Sequence, residues 1–397
     1  MRLPAFCYPK YSYLCKLYCH LTSAMSYRIV EVASRKDLDR FVRFPDDLYR
    51  SCGQYVPALH KDQKDSLTKV STLSYCERKM WLAMDGDKVV GRICGMVNPR
   101  YNELYGKKLA RFGWFDTIDD IEVAKLLLCT AEDWARQMGM TGIHGPLYYN
   151  TLGKQGMLVE GFDRLPVFNT LYNYSYYNDF VTGLGYEKEC DWLEYRMAAD
   201  QDVPEKMQKM SSILMEKHDL HEADIDILKK DKEQVRRFFQ AYNESFAGNV
   251  HNFIPFTDAE IEEEAATFIP FLSNRTSVVL MDGDENLVAF GIAVPDLSKA
   301  FQKARGKLFP TGWFHLLRAL KDYETMDLMI TGAVPEWQNT GISAVLHCMM
   351  SRKFKALGSR WAIANPQIET NIAVNVWAKY GVSELYCRRR CYIKKLI

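Results

Sequence analysis

Met84-Asp85-Gly86-Asp87 and Met281-Asp282-Gly283-Asp284 are the same four residues met twice, each entered and left through apolar chain. Leu82-Ala83 precede and Val89-Val90-Gly91-Arg92-Ile93 follow the first copy; Val278-Val279-Leu280 precede and Leu287-Val288-Ala289-Phe290 follow the second. Apolar runs flanking an Asp-Gly pair read as β-hairpins, because that pair supplies backbone with φ > 0. From Met84 to Met281 the offset is 197 residues, about half of the 397, and self-similarity at that spacing points to a duplicated unit.

Other landmarks recur in step. In the first half a strand from Leu109 to Phe115 leads into Asp116, Thr117, Asp119 and Asp120 as helix caps. Ala124, Leu127, Leu128, Ala131, Trp134, Ala135 and Met138 then fall at helical spacing before Gly139. In the second half a strand from Leu328 to Val334 leads to a helix opening near Gly341, with Val345, Leu346, Met349, Met350, Phe354 and Leu357 on one face and Gly358 at its end. Strands over 142–145 and 360–364, a short helix closing on Gly185 or Gly381, and last strands over 192–197 and 385–393 complete each unit. Amphipathic stretches from Asp37 to Tyr49 and from Lys232 to Phe246 precede them. The expected fold class is α/β (α+β, a mixed sheet packed by helices) in two tandem copies, at 25–200 and 201–397, with the boundary near Asp200 to Pro204. Residues 1–24 are expected to be a disordered leader or a mis-assigned start.

Composition narrows the function. With 48% hydrophobic and 25% charged residues the chain can build two ordinary cores, and 51 basic against 50 acidic residues give a net charge of +1, with no basic footprint for nucleic acid. Eleven cysteines without a pairing pattern and no CxxC of metal spacing predict a reduced, cytoplasmic setting and no metal site. No run of about 18 apolar residues predicts a membrane span, which leaves only peripheral membrane contact.

The loop after the third strand of the second half, Val334-Pro335-Glu336-Trp337-Gln338-Asn339-Thr340-Gly341-Ile342-Ser343-Ala344, resembles the Gln/Arg-x-x-Gly-x-Gly/Ala motif of the GNAT acyltransferase superfamily. The resemblance implies acyl-CoA or acetyl-CoA as co-substrate, held by Val334, Gln338, Asn339, Thr340, Gly341, Ile342, Ser343 and Ala344. Ser343 departs from the small residue of the motif, and Asn339-Thr340 replace its basic or glycine residues. The physical logic is general: N–H groups at a helix start are unsatisfied and carry partial positive charge, so a pyrophosphate can sit there if a glycine lets the backbone approach. Arg352, Lys353 and Lys355 lie further along the helix as partners for a remaining phosphate. Asn371, opening the last helix, resembles the asparagine that contacts the coenzyme arm; a plain helix cap explains it equally well.

Acyl transfer to an amine needs a base, an oxyanion donor and an acid for the departing thiolate. The base is expected at Glu369, then Glu336, then His251; the oxyanion donor is expected at the N–H near Val334; Tyr380 stands nearest to the family's acidic tyrosine. Each has a plainer reading, as helix charge, loop carboxylate, turn residue or core ring, and His144 reads as a satisfied core histidine. In the first half Asp116, Asp119 and Asp120 stand where phosphates would bind, which is the wrong charge, so the coenzyme is assigned to the second half.

The first half's own long segment, from Gly145-Pro146 through Gly161-Phe162-Asp163 to Tyr176-Tyr177, is too aromatic for an idle connector and is expected to line a cleft between the halves. With Tyr55-Val56-Pro57, Phe253-Ile254-Pro255 and Pro295-Asp296-Leu297, it resembles a bacterial subgroup of tandem GNAT-like proteins related to the YghO family. That resemblance implies an N-acyltransferase acting on a primary amine, including a long-chain, sphingoid-type lipid amine. Two other classes stay open: a non-catalytic acyl-CoA sensor, and transfer from aminoacyl-tRNA, which the missing basic patch disfavours.

Overall fold

The computed structural model describes residues 27–247, 250–370 and 383–396. The expected leader, Asn371, Tyr380 and the short helix before Gly381 lie outside the described residues. Both Met-Asp-Gly-Asp copies form hairpins, by different turns. In the first, Asp85 pairs with Lys88 across Gly86 (φ 55°) and Asp87. In the second the loop spans 282–286, Glu285 takes the left-handed conformation (φ 60°), and the Asp282 carboxylate accepts from the N–H groups of Asp284 and Asn286.

Around these hairpins the first half runs β1 (Arg28–Glu31), α1 (Arg35–Leu48), α2 (His60–Thr68), β2 (Glu77–Asp85), β3 (Lys88–Val97), α3 (Pro99–Tyr105), β4 (Leu109–Thr117), α4 (Ile121–Gln137), β5 (Gly142–Gly145), β6 (Met157–Glu160), α5 (Tyr176–Gly183) and β7 (Glu187–Ala198). The second runs α6 (Glu205–Lys217), β8 (His221–Glu222), α7 (Ile225–Lys230), α8 (Lys232–Phe246), α9 (Asp258–Phe268), β9 (Val278–Met281), β10 (Leu287–Pro295), α10 (Ser298–Ala304), α11 (Gly312–Ala319), β11 (Thr325–Ala333), α12 (Ile342–Ala356), β12 (Trp361–Ala364), β13 (Gln367–Ile368) and β14 (Ser383–Lys395). The apolar face of α4, with Ala124, Leu127, Leu128, Ala131 and Ala135, packs against β3, and Ile342, Val345, Leu346 and Met350 of α12 do the same for the second half. Each such buried leucine or isoleucine contributes about 1.5–3 kcal/mol.

The halves share one sheet, in the order β1-β2-β3-β4-β5-β14-β7-β12-β11-β10-β9-β8. Each half's last strand has therefore crossed over. β14 pairs with β5 of the first half, and β7 pairs with β12 of the second. Between them β7 and β14 form a long antiparallel ladder, from Ser383↔Met197 to Ile393↔Glu187. At its centre Arg389 and Glu194, both wholly buried, form an ion pair, and Arg389 also reaches Leu171 O and Thr170 Oγ1.

In both halves the third strand pairs in parallel with its neighbour only briefly. The pairs run from Leu109↔Gly142 to Arg111↔His144 and from Thr325↔Trp361 to Leu328↔Ala364. Beyond Leu328, β11 continues to Ala333 on β10, while Asn365 turns away, held by Asn365 N to Leu328 O (3.0 Å) and Nδ2 to Met329 O (2.8 Å). The sheet thus opens in a V that leads to the start of α12.

Candidate active site

At the mouth of that V a turn of 3₁₀ helix, Pro335–Trp337, gives way to Asn339 (φ 63°) and Gly341 (φ 93°), and α12 begins at Ile342. No side chain caps α12, and a Cβ at Gly341 would meet nothing within 4 Å. The first N–H groups of the helix therefore face open space, which suits an anion. Gln338 pins the loop from inside: its amide donates to Ser245 O (3.1 Å) and Ala333 O (3.0 Å). Thr340 Oγ1 donates to Trp337 O, the Ile342 side chain is core, and Ser343 is exposed beside Gly341. The Val334 N–H does not serve as the expected oxyanion donor, because it is bonded to Val288 O (3.1 Å) in continuation of the β10 ladder. Lys353 and Lys355 are engaged elsewhere, with Glu222 and Asp202, so neither meets the expected phosphate in this arrangement.

The first half closes the same position. Asp120 caps α4 by accepting from Glu122 N (2.9 Å), and it also takes the Tyr27 hydroxyl (2.8 Å). Asp116 is buried against Arg92 (2.7 Å) and Tyr49 (3.0 Å).

Glu369 does not fit the expected base. Oε1 accepts from Asp191 N (3.1 Å) and Oε2 from Lys188 Nζ (2.8 Å), so this carboxylate clamps the turn after β13 to β7. Glu336 is exposed on the 3₁₀ turn. His251, in contrast, lies in a cluster that the strand exchange assembles. Its Nε2 is 3.5 Å from Glu189 Oε1, while Glu189 Oε2 meets His144 Nδ1 (2.9 Å) and Cys391 Sγ (3.2 Å). Cys190 stands opposite Cys391 in the ladder, beside the same cluster. Burial opposes charge on His251, but Cys190 and Glu189 outweigh it and push the imidazole up to about 9. Cys391 and His251 draw the Cys190 thiol down to about 7, against burial. Burial works against the charge on Glu189, yet the hydrogen bond from His144 and the nearby His251 hold its carboxyl well below the usual range. The upward direction at His251 favours the protonated form of its imidazole. His144 is buried as expected but only half satisfied, since its Nε2 has no partner.

A second perturbed carboxylate lies on α9. Burial pushes the Glu264 carboxyl up to about 7, against the hydrogen bond from Asn150 Nδ2 (3.2 Å). Asn150 belongs to the aromatic segment of the first half, which does line the seam between halves: Thr151 meets the Tyr242 hydroxyl of α8 (3.2 Å), and Phe168 stacks on Phe301 of α10 (5.3 Å). Glu264 escapes sequence reading because Glu262-Glu263-Glu264 looks like a solvated acidic run. Cys190, Glu189 and Cys391 escape it because their partners stand 45 to 202 residues away. On β11, Asp327 is wholly buried with both oxygens unpartnered, and burial pushes its carboxyl well above the usual range.

No family model matches the chain. It is 27% identical over 400 residues to protein YghO of Escherichia coli (strain K12), covering 96% of this chain and 99% of that one. It is 25% identical over 370 residues to the bacterial ceramide synthase of Caulobacter vibrioides (strain NA1000 / CB15N), covering 88% and 93%. Among solved structures it is similar to the GCN5-related glucosamine N-acetyltransferase region of a fungal multi-domain GH3 β-N-acetylglucosaminidase (TM-score 0.58, 14% identity), covering 94% of this chain and 38% of that one. It is also similar to the tandem GNAT protein from the clavulanic acid biosynthesis pathway (TM-score 0.52, 12% identity), covering 94% and 99%. The fold is that of the tandem GNAT acyltransferases, as the duplicated hairpins and the loop at Gly341 led one to expect. Among the described residues no helix is long and apolar enough to cross a membrane.

Proposed function

We propose that the protein is an acyl-CoA-dependent N-acyltransferase whose second half binds the coenzyme and whose acceptor is a long-chain, sphingoid-type primary amine. The observation that carries this reading is the contrast between the two helix starts: α12 is uncapped and open at Gly341, whereas Asp120 plugs α4. The similarity to a bacterial ceramide synthase over most of both chains supports the choice of acceptor.

In this reading the coenzyme's pyrophosphate rests on the N–H groups following Gly341, and its pantetheine arm enters the V beside residues 330–333. The amine nitrogen attacks the thioester carbonyl, the C–N bond forms and the C–S bond breaks. Glu264 accepts the amine proton and His251, held protonated by Cys190 and Glu189, gives one to the departing thiolate. Two groups whose surroundings shift their affinities to about 7 and about 9 are suited to act as base and acid between those values.

The test is thiol release from acetyl-, octanoyl- and palmitoyl-CoA with sphinganine and short amines, together with calorimetric titration of each coenzyme. Thiol release that depends on the sphingoid base supports the proposal. Binding without release under any acceptor favours a sensor, and absence of binding overturns the coenzyme reading.

A further inference from the structure

The first half holds a partly open cavity of about 60 Å³, placed where β4 parts from β5 and walled by Tyr55, Arg92, Asp116, Tyr148, Lys154 and Tyr172. Its acceptors are already occupied. Asp116 takes the guanidinium of Arg92 and the Tyr49 hydroxyl, and Asp46 at the rim takes His60 (2.5 Å). Its donors are not. Lys154 Nζ makes one hydrogen bond, to Thr170 O (3.0 Å), and has no carboxylate within ion-pair distance among the described residues. An ammonium has three donors, so two remain unspent. The hydroxyls of Tyr55 and Tyr148 have no protein partner among the described residues either. Lys154 is half-buried, and a charge withdrawn from water without an ion partner is costly unless something compensates it. Burial, with Arg389 and Arg92 nearby, draws the Lys154 amine down to about 8, Asp116 alone opposing.

We propose that this cavity is a second ligand site, distinct from the coenzyme site, which takes the carboxylate of a small or chain-bearing organic acid with Lys154 as its counter-ion. One unpaired cation matches a monoanion. The volume is about that of two water molecules at roughly 30 Å³ each, which fits a carboxylate group. Its two oxygens accept from Lys154 and from the Tyr55 and Tyr148 hydroxyls. Lined by Tyr55, Tyr148 and Tyr172, the walls are aromatic as well as polar, which accommodates the carbon attached to that group.

The experiment is titration of the full-length protein with acetate and with octanoate, each ¹³C-labelled at the carboxyl carbon, followed by calorimetry and by the carboxyl ¹³C resonance. Saturable binding of acetate identifies a small acid, and binding of octanoate alone identifies a chain-bearing one; either supports the site. Lys154→Gln is expected to weaken that binding at least about tenfold, since it removes a charged hydrogen bond. Tyr55→Phe keeps the ammonium and is expected to weaken it about threefold, so it decides the matter if the lysine variant does not fold. Absence of binding by both acids, or affinity unchanged in Lys154→Gln or Tyr55→Phe, overturns the proposal.

Discussion

Replacing Gly341 separates backbone strain from charge at the coenzyme loop. Gly341 has φ 93° and open space around its Cα, so alanine there clashes with nothing and costs only the left-handed conformation, about 1–2 kcal/mol. Aspartate adds a carboxylate at the spot where the pyrophosphate would rest. At about 4 Å, two unit charges repel by about 1 kcal/mol in bulk water and about 4 kcal/mol near a protein surface. Gly341→Asp should therefore bind coenzyme A at least about tenfold more weakly than Gly341→Ala, while the two variants melt within a few degrees of each other. Calorimetric titration of both variants, with a thermal melt of each, supplies the comparison. Equal affinity of the alanine and aspartate variants would refute the reasoning, because it would mean that no phosphate approaches this backbone.

Thiol release should rise with pH through about 7 as Glu264 ionises and fall through about 9 as His251 loses its proton; Glu264→Gln should abolish the rising limb, and a profile unchanged by that substitution would remove Glu264 from the chemistry. His251→Gln should slow turnover by about 10²- to 10⁴-fold with coenzyme affinity retained, measured by steady-state rates beside calorimetry. Arg389→Met strands the Glu194 carboxylate in the middle of the sheet and should cost about 3–5 kcal/mol in urea unfolding, whereas the double change with Glu194→Leu should recover much of it. Burial favours the protonated form of Asp327, so folding is expected to take up a proton there. Wild-type stability should fall as pH rises from 5 to 8 relative to Asp327→Asn, and parallel pH curves for the two would show that the residue is ionised in the fold.

What the sequence makes legible is local. Hairpins at Asp-Gly, helices that stop at Gly139 and Gly358, and the Gln338–Gly341 loop all announce themselves within a dozen residues, because turn chemistry and helical period act over that range. The strand exchange does not. Whether β7 pairs with β5 or with β12 changes no local pattern, since β7 shows the same apolar alternation beside either neighbour. With the pairing hidden, the meeting of His251 with Glu189 and Cys190 is hidden too, although His251 stands out as a polar residue in a turn. Glu369 shows the converse: its position beside the expected acyl site is readable, but Lys188 and the Asp191 N–H that occupy its oxygens come from the other half.

Hydrogen–deuterium exchange of the full-length protein with and without coenzyme A bears most directly on the asymmetry between the two helix starts. Protection is expected across residues 339–345, where the uncapped N–H groups of α12 would be covered, with no change across 117–124, where Asp120 already fills the place. Protection that falls on 117–124, or saturable binding that leaves 339–345 exchanging as before, would contradict it.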